Sequence, residues 1–315
     1  MHVVGTILRN DELERNVKKQ FPDVEFTYVR KVNELASLES VDVLLTYGDD
    51  VTPDVISRMP NLKWIMVMSA GIEKLPIRVL KERKIIVTNA RGIHKIPMAE
   101  FVFAFILQHA KQLHVFLAQQ RENVWNRKVQ QQEIYGRTLL VVGAGAIGSQ
   151  ISTYGKAFGM YTIGINRSGN SNPDFDETYS IDQLNDILPN ADYIVSVLPN
   201  TVHTNKVFTK EQFLHMKRTA VFINVGRGNA VNEIDLMNAL NEGQLAHAFL
   251  DVFETEPLPV DHPFWPSEKV TITPHLSAIT DMYLPRAYEI FVKNLRNYIE
   301  QGENWVNLVD LNRGY

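Results

Sequence analysis

The stretch VVGAGAIG, residues 141–148, decides the fold of this 315-residue chain. It places Gly143, Gly145 and Gly148 in the spacing GxGxxG, between the apolar run TLLVV (138–142) and a helical pattern. In that setting the glycines allow a tight turn, let the backbone approach a pyrophosphate, and pack a helix closely on a strand. The N-terminus of the helix that follows attracts anions. The other interpretation is a glycine-rich structural turn, but the context favours a dinucleotide-binding unit.

Short β-rich runs alternate with helical patterns from Thr138 onward. The predicted strands are TLLVV (138–142), YTIGI (161–165), YIVSVL (193–198), AVFINV (220–225), AHAFL (246–250) and KVTIT (269–273). Their mostly continuous apolar character is typical of parallel strands that are covered on both faces. The pattern predicts an α/β protein with a doubly wound parallel sheet, the Rossmann arrangement.

The first 90 residues repeat this alternation without the glycine pattern, in the runs VVGTIL, VEFTYV, VDVLLTYG, LKWIMVMS and KIIVTN. They predict a smaller, flavodoxin-like α/β substrate domain. A helix over Arg286–Gln301 is expected to return to it, so that this domain is discontinuous, with residues 1–96 and 284–315. The dinucleotide-binding domain is then 97–283. Its apolar segment 97–120 is predicted to be helical and buried between domains or subunits.

Composition narrows the classes of function. The chain has a formal net charge of −4 and 45% hydrophobic residues, and it contains no cysteine. Thiol catalysis, thiolate metal sites and disulfides are therefore excluded, and no metal site or nucleic-acid partner is expected. The N-terminus lacks a signal-peptide pattern, and the apolar stretch 96–107 is too short to span a membrane. We expect a cytoplasmic protein with a small-molecule partner.

Three groups suited to carbonyl chemistry follow three consecutive predicted strands. Arg227 lies in INVGRGNAVNE, Glu256 in LDVFETEPL and His275 in TITPHLSAIT. Each could be an ordinary loop residue by itself, but the carboxyl ends of parallel strands are where α/β sheets bind ligands. On a 2-keto acid, the arginine binds the carboxylate as a fork. The histidine gives a proton to the forming alkoxide, and the glutamate orients its ring and favours its charged form.

With these residues the sequence resembles the D-isomer-specific 2-hydroxyacid dehydrogenases, the family of phosphoglycerate dehydrogenase and the glyoxylate/hydroxypyruvate reductases. The resemblance covers essentially the whole chain: MSAGIEKLP (68–76) is similar to the family's substrate loop, and SVLPNTVHTNKVF (196–208) to its second cofactor loop. It implies hydride transfer between NAD(P)H and a small 2-keto or D-2-hydroxy acid, by a homodimer. The alternative is a dinucleotide-sensing, corepressor-like interaction protein on the same fold.

The resemblance also implies binding residues. The backbone amides of Ala70 and Gly71 are expected to hold the substrate carboxylate together with Arg227. The expected cofactor contacts are Gly143, Gly145, Ala146, Ile147, Gly148, Asn166, Arg167, Ser168, Leu198, Pro199, Thr204, Val225, Gly226, Asp251, His275 and Ser277. Asp251 is expected near the nicotinamide. The chain departs from the family pattern at Asn232, where an acid is usual.

The choice of cofactor depends on TIGINRSG, residues 162–169. An NAD site carries a carboxylate at this strand end, which binds the adenosine ribose hydroxyls and repels a 2′-phosphate. Here Asn166 removes the repulsion, while Arg167 and Ser168 supply donors. The stretch predicts a preference for NADP(H), with NAD(H) as the alternative. If Arg167 instead points into solvent or stacks on the adenine, both cofactors serve.

Overall fold

The computed structural model describes residues 1–35 and 37–311 of the chain, which form two compact units. The larger unit is His94–Ile279, and the smaller one consists of the described residues of Met1–Ile93 and Thr280–Tyr315. Each unit has a parallel sheet with helices, so the predicted α/β class is confirmed.

The elements of the two units follow in chain order. The strands are β1 (His2–Gly5), β2 (Glu25–Tyr28), β3 (Val43–Thr46), β4 (Trp64–Val67), β5 (Ile86–Asn89), β6 (Thr138–Val142), β7 (Tyr161–Asn166), β8 (Glu177–Ser180), β9 (Tyr193–Ser196), β10 (Val221–Asn224), β11 (His247–Leu250) and β12 (Val270–Ile272). The α-helices are α1 (Asp11–Gln20), α2 (Pro53–Ser57), α3 (Ile77–Glu82), α4 (Lys95–Lys111), α5 (Leu113–Arg121), α6 (Ala146–Ala157), α7 (Leu184–Ile187), α8 (Lys210–His215), α9 (Glu233–Asn241) and α10 (Tyr283–Ile299). Short 3-10 turns cover Val32–Glu34, Ile181–Gln183, Leu188–Asn190 and Gly228–Ala230.

The smaller unit has a five-stranded sheet in the order β2-β1-β3-β4-β5. Strands β3 and β4 are fully buried, because helices cover both faces of the sheet. Helix α10 belongs to this unit, where Phe291 stacks on Trp64 with ring centroids 5.5 Å apart. The predicted helix Arg286–Gln301 was placed too late, since α10 begins at Tyr283. Pro285 does not prevent this, because proline is tolerated in the first turn of a helix.

The larger unit has a seven-stranded parallel sheet in the order β12-β11-β10-β9-β6-β7-β8. Six of these strands coincide with the predicted runs. The seventh, β8, was not predicted, because its sequence ETYS is short, polar and partly exposed at the sheet edge. All strand pairs are parallel, so the loops after β6, β7, β9, β10, β11 and β12 leave the same edge of the sheet.

The segment 97–120, predicted to be helical, consists of two helices, α4 and α5. The chain breaks at Gln112, whose φ of 53° is left-handed, and α5 is bent by 67° from α4. Helix α4 is largely buried, whereas α5 has no buried residue. The burial predicted for the whole segment therefore holds, within this chain, only for α4. Among the described residues, no single helix has the length and apolar character needed to cross a membrane; only α4 and α5 taken together pass that test.

Helix α9 begins at the position where the chain departs from the family pattern. The side chain of Asn232 accepts a hydrogen bond from the amide of Asp235 at 3.2 Å and so caps the helix. Asparagine serves as well as aspartate at this position. The cap makes Glu233 the first residue of α9, next to the loops that follow the strands.

Candidate active site

The loop after β6 has the shape that a dinucleotide needs. Gly143 has a left-handed φ of 114°, and a Cβ added to Gly148 would lie 2.3 Å from the carbonyl oxygen of Gly143. At Gly145, by contrast, no atom of the described residues lies within 4 Å of an added Cβ. The helix is thus packed closely on the strand while the backbone at Gly145 stays accessible. Ala146 and Ile147 form the first turn of α6, where amide groups lack partners within the helix.

Asn166 ends β7 and closes the turn that follows it. Its Oδ1 accepts hydrogen bonds from the amides of Ser168 at 3.1 Å and Gly169 at 2.7 Å, and its Nδ2 donates to the carbonyl of Asn170 at 2.8 Å. A carboxylate at this position could accept the same two amide bonds, but it could not donate to the carbonyl of Asn170. Arg167 is exposed, and its guanidinium has no hydrogen bond or ion pair within residues 1–35 and 37–311.

The second cofactor loop follows β9 and is closed by Thr204. The hydroxyl of Thr204 donates to the carbonyl of Pro199 at 2.5 Å and accepts from the amide of Thr201 at 2.9 Å. Leu198 is buried at the base of the loop. A Cβ added to Gly226 would lie 2.6 Å from the Leu198 amide nitrogen, so the loop after β10 packs directly on this one. Val225, just before, is buried.

Arg227 lies between two glycines because its neighbours pack against backbone on both sides. A Cβ added to Gly228 would lie 1.9 Å from the carbonyl carbon of Phe253. The arginine carbonyl accepts a hydrogen bond from Asn224 Nδ2 at 3.1 Å, and its Nη1 donates to the carbonyl of Gly226 at 2.8 Å. The residue is exposed and lies between the second cofactor loop and the loop that carries Glu256.

Glu256 and His275 form a hydrogen-bonded pair. Glu256 Oε2 lies 2.8 Å from His275 Nδ1, and its Oε1 accepts the amide hydrogen of Phe253 at 3.0 Å. The side chains are 36% and 45% exposed. Burial pushes the pKa of Glu256 up, but the hydrogen bonds from His275 and Phe253, with the charges of His275 and Arg227, outweigh it and lower the pKa. Glu256 is therefore a carboxylate that holds Nδ1, which leaves Nε2 of the ring for a substrate.

Asp251 determines the shape of the loop that carries the histidine. It is fully buried, and its carboxylate accepts hydrogen bonds from Thr273 Oγ1 at 2.6 Å and from the amides of Leu276 at 2.8 Å and Ser277 at 2.9 Å. His275 within this loop has a left-handed φ of 56°, a conformation that a surrounding structure must enforce. Sequence reasoning placed Asp251 near the nicotinamide and did not identify this role.

In the smaller unit, the carbonyl oxygens of Ala70 and Gly71 both accept hydrogen bonds from side chains. Asn89 Nδ2 donates to the carbonyl of Ala70 at 2.7 Å, and Ser69 Oγ donates to that of Gly71 at 3.3 Å. The amides of Ala70 and Gly71 have no acceptor in the described part of the chain. The loop therefore presents two backbone donors.

A second glutamate–histidine pair lies beside the loop of Glu256 and was not predicted. Glu233 Oε2 lies 3.3 Å from His262 Nε2, and Glu233 Oε1 accepts the amide hydrogen of Glu254 at 2.9 Å. No local motif indicates this pair, because its partners come from α9 and from a distant loop. The described residues contain no group of three or more histidine, cysteine or acidic side chains that could hold a metal ion.

Comparison with known proteins identifies the family. Residues 103–277 match the model of the D-isomer specific 2-hydroxyacid dehydrogenase NAD binding domain. The chain belongs to this family. A glyoxylate reductase of Korarchaeum cryptofilum is 31% identical over 303 residues, which are 93% of this chain and 88% of that protein.

Solved structures of the family agree. A D-isomer specific 2-hydroxyacid dehydrogenase family protein from Aeromonas salmonicida has a TM-score of 0.83 and 34% identity, over 98% of this chain and 99% of that one. A family member from Xanthobacter autotrophicus in complex with NADPH and MES has a TM-score of 0.80 and 29% identity, over 100% and 99% of the two chains. The predicted family and activity are confirmed: this 2-hydroxyacid dehydrogenase is an oxidoreductase that uses a nicotinamide dinucleotide.

Proposed function

We propose that this dehydrogenase is a cytoplasmic, NADPH-preferring reductase that converts small 2-keto acids, such as glyoxylate and hydroxypyruvate, to D-2-hydroxy acids. The observation that carries the proposal is the Glu256–His275 pair, with the charge of Arg227 close enough to act on Glu256. A relative named glyoxylate reductase supports the choice of substrate. Fractionation of cells tests the proposed location.

The side chains divide the chemistry among them. When bound, the cofactor supplies the hydride that the carbonyl carbon accepts. His275 donates a proton from Nε2 to the carbonyl oxygen as that oxygen gains charge. Glu256 holds Nδ1 of the ring and stabilises the charged imidazolium before the proton leaves. Arg227 binds the substrate carboxylate, for which a planar guanidinium supplies two parallel donors.

We further propose that the free amides of Ala70 and Gly71 donate to the substrate carboxylate. The exposed carboxylate of Glu73 lies against Gly71. Because a like charge opposes an incoming anion, Glu73→Gln should lower the KM for the keto acid and leave kcat unchanged. An unchanged KM would show that the amides of Ala70 and Gly71 do not bind the substrate carboxylate.

The cofactor-binding set is proposed on the loop geometry. The open backbone at Gly145 and the first turn of α6 would hold the pyrophosphate, because unpaired helical amides bind anions. The other proposed contacts are Gly143, Ala146, Ile147, Gly148, Leu198, Pro199, Thr204, Val225, Gly226, Asp251, His275 and Ser277. Gly226 packs on Leu198, so the second cofactor loop lies against the loop that carries Arg227. The second cofactor loop would therefore border the nicotinamide side of the site.

The preference for NADPH rests on Arg167, Ser168 and Asn166. Arg167 is exposed without a partner in the described part of the chain, and Asn166 carries no charge to repel a 2′-phosphate. A charge-assisted hydrogen bond is worth about 1.5–3 kcal/mol, so Arg167→Ala should reduce the ratio of kcat/KM for NADPH over NADH by roughly 10–100-fold.

Asn166→Asp is the sharper variant, because it keeps the acceptor for the Ser168 and Gly169 amides and adds the repelling charge, while it loses the Nδ2 hydrogen bond to the Asn170 carbonyl. It should shift preference toward NADH. Arg137→Ala, at the exposed amino end of β6, is the matched control and should leave the ratio unchanged. Direct titration with both cofactors provides a readout independent of turnover. A wild type that prefers NADH would contradict the assignment.

We propose a homodimer built around α4 and α5. Helix α5 has no buried residue, and the apolar side chains of Leu113, Leu117 and Trp125 are exposed, the last by 92%. A second copy of the chain would cover this surface. Sedimentation should show a dimer at micromolar concentration, and Leu117→Glu should dissociate it. A wild-type monomer under these conditions would disprove the assembly.

The activity is tested by adding purified protein to NADPH and a panel of keto acids: glyoxylate, hydroxypyruvate, pyruvate and phosphohydroxypyruvate. We expect oxidation of NADPH with glyoxylate and hydroxypyruvate, and a product of D configuration by chiral chromatography where the product is chiral. Protein that binds the cofactor but reduces none of these acids would contradict the proposed substrates.

A further inference from the structure

The Glu233–His262 pair lies next to the loop of Glu256 and has no part in the proposed reaction. We propose that Glu233 and His262 are positioning residues, which fix the segment Phe253–Glu256 and thereby hold the carboxylate of Glu256 against His275. This inference rests on the proposed function, because it assumes the role of Glu256 in supporting His275.

The first observation is that the two carboxylate oxygens of Glu233 have different partners. Oε1 accepts the amide hydrogen of Glu254 at 2.9 Å, and Oε2 lies 3.3 Å from His262 Nε2. Both side chains are mostly buried, with 15% and 18% exposed. A single carboxylate therefore joins the start of α9, the segment Phe253–Glu256 and the loop of His262.

The second observation is that His262 is fixed in one orientation. The amide of Phe264 donates to His262 Nδ1 at 3.3 Å, so Nδ1 is the unprotonated nitrogen and Nε2 carries the hydrogen that faces Glu233. The imidazole also packs on the Phe264 ring, with centroids 4.6 Å apart. Rotation of the ring would lose these contacts, so His262 holds the Glu233 carboxylate in place.

The third observation is the short path from Glu233 to the reacting pair. The tethered residue, Glu254, follows Phe253, whose amide donates to Glu256 Oε1 at 3.0 Å. The other oxygen of Glu256 meets His275 at 2.8 Å. Loss of the backbone tether would leave Glu254 held through its side chain, which pairs with Lys206, so the peptide could shift. A displacement of about 1 Å near a reacting group can cost on the order of 10²-fold in rate.

Burial makes a purely stabilising role for Glu233 a poor explanation. Burial raises the pKa of Glu233, although His262 and the charge of Lys206 act in the opposite direction. A buried ionised group costs free energy, and apolar packing would stabilise the fold as well or better. What the carboxylate supplies, and an apolar side chain cannot, is the acceptor for the Glu254 amide.

A double-mutant cycle tests the proposal. Glu233→Ala should lower kcat by about 10–100-fold with the KM for NADPH nearly unchanged. In a Glu256→Gln background, the same change should cost less than about twofold, because residues that act through one another are not additive. Glu233→Gln retains an acceptor oxygen for the Glu254 amide and should restore much of the rate. His262→Phe keeps the ring but loses the Nε2 hydrogen, and should resemble Glu233→Ala in a milder form.

Asp192→Asn is the matched control. Asp192 is also mostly buried and pairs with Lys217 at 2.8 Å, but it directly precedes β9, where it accepts the amide hydrogen of Thr138 at the amino end of β6. It should leave kcat within about twofold in both backgrounds.

Two outcomes would overturn the proposal. Losses from Glu233→Ala and Glu256→Gln that multiply would show that Glu233 does not act through Glu256. Amide hydrogen exchange over Phe253–Glu256 that is no faster in Glu233→Ala than in Asp192→Asn would show that Glu233 does not hold the segment. Exchange is independent of turnover, so it still decides this point if the wild type reduces no keto acid, an outcome that refutes the proposed function instead.

Discussion

The larger unit contains two glutamate–histidine pairs that flank one short loop and differ mainly in exposure. In the Glu256–His275 pair the contact is 2.8 Å and the side chains are 36% and 45% exposed. In the Glu233–His262 pair the contact is 3.3 Å and the side chains are 15% and 18% exposed. The residue types are the same, so side-chain identity alone does not distinguish the pair that we propose to react from the pair that we propose to position it.

The surroundings of each pair make the distinction. Hydrogen bonds and nearby positive charge keep the pKa of Glu256 below its usual value, whereas burial raises that of Glu233. The first carboxylate remains ionised and leaves the second ring nitrogen of its histidine free for a substrate. In the second pair both ring nitrogens of the histidine have partners within the protein, Nδ1 with the Phe264 amide and Nε2 with Glu233. A buried pair with its atoms committed in this way can position a loop but cannot exchange protons with a ligand.

The largest expected effect separates the two histidines. His275→Ala removes the proposed proton donor and should lower kcat by about 10²–10⁴-fold while the melting temperature changes little, because the side chain is exposed. His262→Ala should instead clearly lower the melting temperature, and it should lower kcat less than His275→Ala does. Steady-state kinetics and thermal unfolding of both variants check this. Near-wild-type turnover in His275→Ala at neutral pH would make the catalytic assignment wrong.

Sequence alone predicted the parts of the fold that depend on continuous apolar runs. The strands around TLLVV and AVFINV were found because burial on both faces requires such runs. Strand β8 was missed because ETYS is an exposed edge strand. The break at Gln112 was missed because no glycine or proline marks it, and its left-handed conformation depends on local packing.

The site divides in the same way. Arg227, Glu256 and His275 were proposed from sequence because each follows a strand in a recognisable motif. The pair of Glu233 and His262, and the committed hydrogen bonds of Asp251, depend on contacts between segments far apart in the chain. No spacing rule predicts those contacts, since they arise only when the loops fold against one another.

An intermediate effect is expected at Asp251, which supports the exposed pair through the loop of His275. Asp251→Asn keeps an acceptor oxygen for one of the two backbone donors, Leu276 or Ser277, but turns an amide group toward the other. Leaving a buried donor unsatisfied costs about 1–3 kcal/mol, so the free energy of unfolding should fall by about that amount. We also expect kcat to fall by about tenfold, because the position of His275 is disturbed.

The control for Asp251 is Asp176→Asn. Asp176 accepts hydrogen bonds from the amide and hydroxyl of Thr162 at 2.8 and 2.9 Å, near the start of β7 and away from the strand ends that carry the site. It should reduce stability without lowering kcat. If Asp251→Asn behaved like this control, the reacting pair would not depend on the geometry of its loop, and the contrast between the two pairs would rest on exposure alone.

The smallest expected effect is on the pH dependence of the free energy of unfolding. The contributions of Glu256 and Glu233 to it should change in opposite directions as pH rises. Folding lowers the pKa of Glu256 from 4.5, so its contribution to stability is present above pH 4.5 and is lost as pH falls through the folded value. Folding raises the pKa of Glu233, so the folded protein binds that proton more tightly, and stability declines as pH rises from 4.5 through the folded value. The free energy of unfolding of wild type minus Glu256→Gln should therefore increase with pH below 4.5. That of wild type minus Glu233→Gln should decrease with pH above 4.5. Denaturant unfolding across this range measures both differences, and slopes of the same sign would mean that the two pairs do not differ in the way their burial indicates.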